Sequence, residues 1–136
     1  MGTLSRSEYE HYLYSLLPQQ PQVSRSTLRL YTNSSTTAII RGEIELRSGL
    51  VIRVFEFIDF SDESILEYSY AVYLGEDKIR WYDAQPHPEN PVLQSTFPHH
   101  FHTAPDIKHN RQPAQGIGFK EPNLPTVIND CLSLGN

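Results

Sequence analysis

The side chains able to do chemistry in this sequence are concentrated: five of the six histidines fall between positions 87 and 109. His87 lies between Pro86 and Pro88, and the run Phe97-Pro98-His99-His100-Phe101-His102 follows shortly after. Side chains alternate along an extended segment, so His100 and His102 face one side and His99 and Phe101 the other. Prolines flanking His87 and preceding His99 restrict the backbone that presents these rings. Three chemistries fit. The histidines can be packing or surface residues of a loop. Alternatively, His100 and His102 can supply two metal ligands with His87 or Glu89 as a third, although no HExxH motif is present. In the third, two imidazoles act as general base and acid without a metal, as in RNA cleavage. Such a reaction also needs a cation for the phosphorane, and Arg80, Lys78, Arg53 and Arg41 are candidates.

Other side chains could serve the same chemistry. Glu56 follows Leu50, Ile52 and Val54 at alternate positions, and reads as an acid/base or orienting carboxylate or as a cross-strand ion pair with Arg41. Arg53 reads as a site cation or as an arginine snorkelling at a sheet edge. Tyr70 and Tyr82, near arginines, are candidates to stack nucleotide bases or to pack on a half-buried sheet.

The elements that must position these groups can be read from periodicity. Ser5 and Glu8 fit a capping box, and Tyr9, Tyr12, Leu13, Leu16 and Leu17 recur at helical spacing up to Pro18. From Ser24 the period becomes two. Thr27–Tyr31, Thr37–Arg47, Leu50–Ile58, Ile65–Leu74 and Lys78–Asp83 read as strands. A two-residue Ser48-Gly49 turn would set Arg47 against Leu50 and Arg41 against Glu56, leaving Leu46, Ile44 and Ile40 with Val51, Arg53, Phe55 and Phe57 on the core face. Asn123 can cap a last helix carrying Leu124, Val127, Ile128, Cys131 and Leu132. The predicted fold is α+β: a curved antiparallel meander of five to six strands with an N-terminal and a C-terminal helix. It forms a single domain over 1–136, with a helix at 1–17, the sheet and His-rich segment at 25–102, a mobile loop at 103–121 and a helix at 123–132.

Composition narrows the function. No apolar run is long enough to span a membrane, and the N-terminus lacks a basic region followed by an apolar one. Arg6 breaks the myristoylation pattern begun by Met1-Gly2. A single cysteine, Cys131, excludes an internal disulfide and a cysteine zinc site. The net charge of −5 argues against general nucleic-acid coating but permits a local basic site. A soluble, cytoplasmic domain is the expectation.

The ordered series of motifs resembles the TumE family of small bacterial toxin–antitoxin proteins. It comprises the hairpin from Arg41 to Glu56, Glu67-Tyr68-Ser69-Tyr70, Arg80-Trp81-Tyr82-Asp83, Pro86-His87 and Phe97-Pro98-His99-His100-Phe101-His102, and spans roughly residues 25–103. Trp81 within the Arg-Tyr-Asp motif and Pro88 after His87 depart from the family pattern. Glu56, Tyr70, Arg80, Tyr82, Asp83, His87, His99, His100 and His102 are the matched positions. The resemblance implies a toxin encoded beside an antitoxin partner and acting on RNA. The expectation is a metal-independent ribonuclease without cofactor, its oligomeric state open and a dimer compatible. His99, His100, His102, His87, Arg80 and Glu56 are the catalytic candidates; Tyr70, Tyr82, Arg41 and Arg53 are the substrate-binding ones. Arg80 is expected to hold the phosphate beside the imidazoles. The rivals are a non-enzymatic protein-binding module and a metal-dependent hydrolase.

Overall fold

The computed structural model describes residues 4–134. Ser5 caps α1 (Arg6–Tyr14) by accepting a hydrogen bond from the Glu8 backbone N–H, and Tyr9, Tyr12 and Leu13 form its buried stripe. Residues 1–3 of the predicted 1–17 helix lie outside the described residues. The helix breaks at Ser15 instead of running to Leu17, and a single turn, α2 (Leu16–Gln19), follows. Pro18 fits within that turn because first-turn amides have no intrahelical acceptor to lose.

Among the described residues, eight strands form one open antiparallel sheet: β1 (Val23–Ser26), β2 (Arg29–Thr32), β3 (Thr37–Leu46), β4 (Leu50–Asp59), β5 (Ser64–Leu74), β6 (Asp77–Asp83), β7 (His100–Thr103) and β8 (Arg111–Pro113). Their order is β1-β3-β4-β5-β6-β7-β8, with β2 also paired to β3. The α+β class and both helices agree with the sequence reading, and the strand count rises from five or six to eight. Of the run predicted as a strand at Thr27–Tyr31, only Arg29–Tyr31 lies in β2, because Thr27 and Leu28 cross closely over Gly42. A Cβ there would lie 2.5 Å from the Thr27 carbonyl oxygen, and Gly42 has φ of +144°. Part of the predicted 103–121 loop is β8, which pairs with β7.

The β3–β4 register differs from the predicted one by a single residue. Glu45 lies opposite Val51, Glu43 opposite Arg53, Arg41 opposite Phe55 and Ile40 opposite Glu56. Arg47, Ser48 and Gly49 form the loop, closed by a hydrogen bond from the Gly49 N–H to the Leu46 carbonyl, with Gly49 at φ of +99°. A one-residue slip exchanges the faces of a strand. Leu50, Ile52, Val54, Glu56 and Ile58 therefore turn to the core, and Val51, Arg53, Phe55 and Phe57 turn away from it. The predicted Arg41–Glu56 ion pair does not form, because the two side chains lie on opposite faces.

One face of the sheet is covered. Tyr9, Leu13 and Leu16 pack there with Ile40, Ile44, Ile52, Val54, Tyr70 and Val72, and with Leu124, Val127, Ile128 and Cys131 of α3 (Leu124–Cys131). Each of these leucine, isoleucine and valine side chains contributes roughly 1.5–3 kcal/mol when fully buried. Asn123, predicted to cap α3, does not use its side chain that way. Its Oδ1 accepts from the Gly118 N–H, and its Nδ2 donates to the Tyr70 hydroxyl and the Gly118 carbonyl. The other face of the sheet carries Arg41, Arg53, Phe55, Ser69, Tyr73, Lys78 and Trp81, and no helix among the described residues covers it.

Candidate functional site

The pairing of β6 with β7 decides which side chains meet. Asp83 lies opposite His100, Trp81 opposite His102, Tyr82 opposite Phe101 and Arg80 opposite Thr103. Directly opposed residues share a face. Asp83, Trp81, His100 and His102 therefore project together on the side away from α3, while Arg80, Tyr82 and Phe101 project on the other.

On the first side the polar atoms converge. His100 Nε2 is 2.7 Å from Asp83 Oδ1 and 3.1 Å from His102 Nε2, and His102 Nε2 is 3.3 Å from Asp83 Oδ2. His100 and His102 are 1% and 3% exposed. The Pro98 carbonyl lies 3.1 Å from His100 Nδ1, and the Gln85 backbone N–H donates to Asp83 Oδ1. Trp81 stacks on the His102 ring with centroids 4.7 Å apart, and His102 Nδ1 is buried with no hydrogen-bond partner among the described residues. His87 meets His100 edge-on at 5.1 Å, at the rim of the cluster, with its Nδ1 3.6 Å from a Glu89 carboxylate oxygen.

Burial pushes the Asp83 carboxyl up, but the hydrogen bond and charge of His100 outweigh it, so its pKa is lowered overall. Burial also lowers the pKa of His102, against an opposing pull from Asp83. One donor atom from each of Asp83, His100 and His102 lies within 4.8 Å of the others, a spacing compatible with a shared metal ion.

The remaining sequence candidates are distributed around this cluster. Arg80 is not beside the imidazoles: its guanidinium lies 4.2 Å from the Phe101 ring and donates to the Tyr82 hydroxyl. The cause is residue parity, since Arg80 shares a face with Tyr82 and not with Trp81. Tyr82 is buried and donates to Asp130 Oδ2 at 2.8 Å, so its ring is closed to a base. His99 faces the core side, with its Nδ1 2.5 Å from the Tyr68 hydroxyl and its ring against Phe119. Burial, then the nearby His100, lowers its pKa. Glu56 and Tyr70 are both fully buried beneath the helices. The Tyr9 and Tyr70 hydroxyls each donate to Glu56, tying α1 and β5 to β4. Burial raises the Glu56 pKa against these two hydrogen bonds.

Arg41 and Arg53 stand on the uncovered face, each over an aromatic ring. Arg41 lies 5.6 Å from the Phe55 ring and Arg53 4.7 Å from the Tyr73 ring. Lys78 lies 4.8 Å from Trp81. These three cations line a cleft of about 400 Å³, and Arg53 is also ion-paired with Glu43, its neighbour on β3, at 3.1 Å. A neighbouring cleft of about 500 Å³ shares Phe55, Ser69 and Trp81 with it and has Asp83 in its wall. The uncovered face therefore leads from a cationic, aromatic surface to the His/Asp cluster. Sequence reasoning missed Asp83 as a partner of the histidines, and missed Phe55, Tyr73 and Trp81 as neighbours of the cations. The parity of Trp81 and Asp83 on one strand face was the available signal.

The fold and cluster define a small α+β protein with an uncovered sheet face and a buried histidine–carboxylate centre. Residues 13–134 match the family model described as Toxin TumE, and the chain belongs to that family. The family places it among the toxins of toxin–antitoxin systems and implies a cognate antitoxin partner. Comparison with curated proteins and with solved structures gives no match. Among the described residues, no helix is long and apolar enough to cross a membrane.

Proposed function

We propose that this toxin acts in the cytoplasm by cutting RNA, with Asp83, His87, His100 and His102 as the cleavage centre and the uncovered sheet face as the RNA-binding surface. The observation that carries the proposal is the convergence of two buried imidazoles on one carboxylate, beside a cleft lined by Arg41, Arg53 and Lys78.

With the protein's own side chains, the centre offers imidazole acid–base chemistry. A base removes the 2′-hydroxyl proton, and the 2′-oxygen attacks phosphorus. The bond from phosphorus to the 5′-oxygen breaks, and an acid protonates that leaving oxygen. The products are a 2′,3′-cyclic phosphate and a 5′-hydroxyl end. His87, at the rim, transfers protons. His100, held between Asp83 and the Pro98 carbonyl, is the cation facing the phosphorane when protonated. The cations of the uncovered face neutralise backbone phosphates, while Phe55, Tyr73 and Trp81 offer ring surfaces to bases. The net charge of −5 does not oppose this, because the local lining of that cleft is cationic.

The test is growth inhibition by His87→Ala and by a His100→Ala/His102→Ala double variant, with folding followed by circular dichroism and antitoxin binding measured. One imidazole accounts for about 10²–10⁴-fold in rate, so both variants should lose toxicity while folding and binding the antitoxin. A folded double variant as toxic as the wild type would sink the cleavage centre and favour a non-enzymatic protein-binding toxin.

A further inference from the structure

We propose that Asp83, His100 and His102 together bind one divalent transition-metal cation, of the borderline class typified by zinc. The first support is spacing. Ligand atoms about 2.0–2.2 Å from a shared cation stand about 2.8–3.1 Å apart at octahedral angles and about 3.3–3.6 Å apart at tetrahedral ones. Here the two Nε2 atoms stand 3.1 Å apart, His100 Nε2 is 2.7 Å from Asp83 Oδ1, and His102 Nε2 is 3.3 Å from Asp83 Oδ2.

The second support is the polarity of the atoms that meet. A carbonyl only accepts, so the Pro98 oxygen 3.1 Å from His100 Nδ1 places the proton on that nitrogen. That leaves Nε2 as the end of the His100 ring that meets Asp83 Oδ1, at 2.7 Å. His102 Nε2 joins them, 3.1 Å from His100 Nε2 and 3.3 Å from Asp83 Oδ2, and because His102 Nδ1 has no hydrogen-bond partner among the described residues, both of the ring's polar contacts run through Nε2. A cation at the centre would take one donor atom from each of the three side chains. A backbone carbonyl that fixes the tautomer and orientation of a ligating imidazole is also the usual outer support of a metal site.

The third support is access. Three protein ligands leave coordination positions open, as catalytic metal sites require, and Asp83 lines the wall of the adjoining cleft of about 500 Å³. Two imidazoles with one carboxylate favour zinc, iron(II), manganese or nickel over magnesium and calcium, which prefer all-oxygen ligand sets. This assignment replaces the metal-free expectation drawn from the sequence. For the metal's role alone it rests on the ribonuclease reading: in that reaction the metal would stand in for the His100 imidazolium as the cation facing the phosphorane.

The experiment uses the untagged full chain, stripped with a chelator and titrated with zinc chloride. Binding is followed by calorimetry and by long-range ¹H–¹⁵N spectra of the histidine rings. One zinc per chain is expected, with the Nε2 resonances of His100 and His102 moving and His100 Nδ1 keeping its proton. Asp83→Asn should weaken binding by more than the about 10–100-fold typical of losing an outer-shell partner. The wild-type spectra need no variant, so a misfolded Asp83→Asn chain leaves the test intact. No binding, or zinc held at the exposed His109–Asp106 pair with His100 and His102 unmoved, would overturn the site. RNA cleavage assayed on the same samples judges the other reading separately. Zinc bound at His100 and His102 without any cleavage would leave the site standing and remove the ribonuclease. Full cleavage by a chain that never binds metal would do the reverse.

Discussion

Replacing Glu56 distinguishes a catalytic carboxylate from a structural one. Glu56 is fully buried on the helix-covered face, where it accepts hydrogen bonds from Tyr9 and Tyr70. Glu56→Ala strands two buried hydroxyl donors at about 1–3 kcal/mol each, roughly 2–6 kcal/mol in total. At about 3–5 °C per kcal/mol for a domain of this size, Tm should fall by roughly 6 °C or more. Glu56→Gln keeps an acceptor and removes the charge. The folded pKa of Glu56 is raised by burial. Its contribution to stability is therefore fully present below the unfolded value of about 4.5 and is lost as pH rises through the folded value, by about 1.4 kcal/mol per unit of difference. The glutamine variant should gain on the wild type through that window, after which the difference between them should stay constant, while remaining toxic. Thermal denaturation from pH 4 to 8, with growth inhibition alongside, measures both. A glutamine variant that loses stability relative to the wild type as pH rises would show the tyrosine hydrogen bonds outweighing burial. A stable but non-toxic one would return Glu56 to the catalytic centre.

Cys131 is fully buried on α3, and burial pushes its thiol up to about 12, so a thiol reagent should label the native chain far more slowly than the urea-unfolded one; equal rates would contradict this placement. Arg41→Ala and Lys78→Ala should each weaken binding of single-stranded RNA and reduce the slope of log K against log salt by about 0.7, as read by fluorescence anisotropy; unchanged slopes would take the RNA off the uncovered face. Gly42→Ala, whose Cβ would meet the Thr27 and Leu28 backbone at φ of +144°, should cost roughly 2–6 kcal/mol in urea unfolding, and a neutral result would mean that the crossing relaxes easily.

Much of the scaffold could be read from periodicity. The Tyr9, Tyr12 and Leu13 stripe, the long hairpin strands and the apolar face of the last helix all carry a single dominant period. The face of β4 could not be read that way. Leu50, Ile52, Val54 and Ile58 alternate with Val51, Phe55 and Phe57, so both faces are apolar enough to be buried. The choice then rests on whether Arg47 belongs to the strand or to the loop. That single residue decided the surroundings of Glu56 and Arg53. The histidine alternation did place His100 and His102 on one side. Asp83, their partner, is distant in sequence and joins them only through the β6–β7 register, which no local pattern encodes. The same register carried Arg80 to the opposite face, where it meets Phe101 instead of a phosphate.

The central claim is tested most directly by incubating the purified chain, free of its antitoxin, with single-stranded RNA and mapping the ends produced. Fragments with 5′-hydroxyl ends from the wild type, and intact RNA from the folded His100→Ala/His102→Ala variant, are the predicted result. Intact RNA with the wild-type chain, both with zinc added and after chelation, from a preparation that still arrests growth when produced in cells, would contradict it.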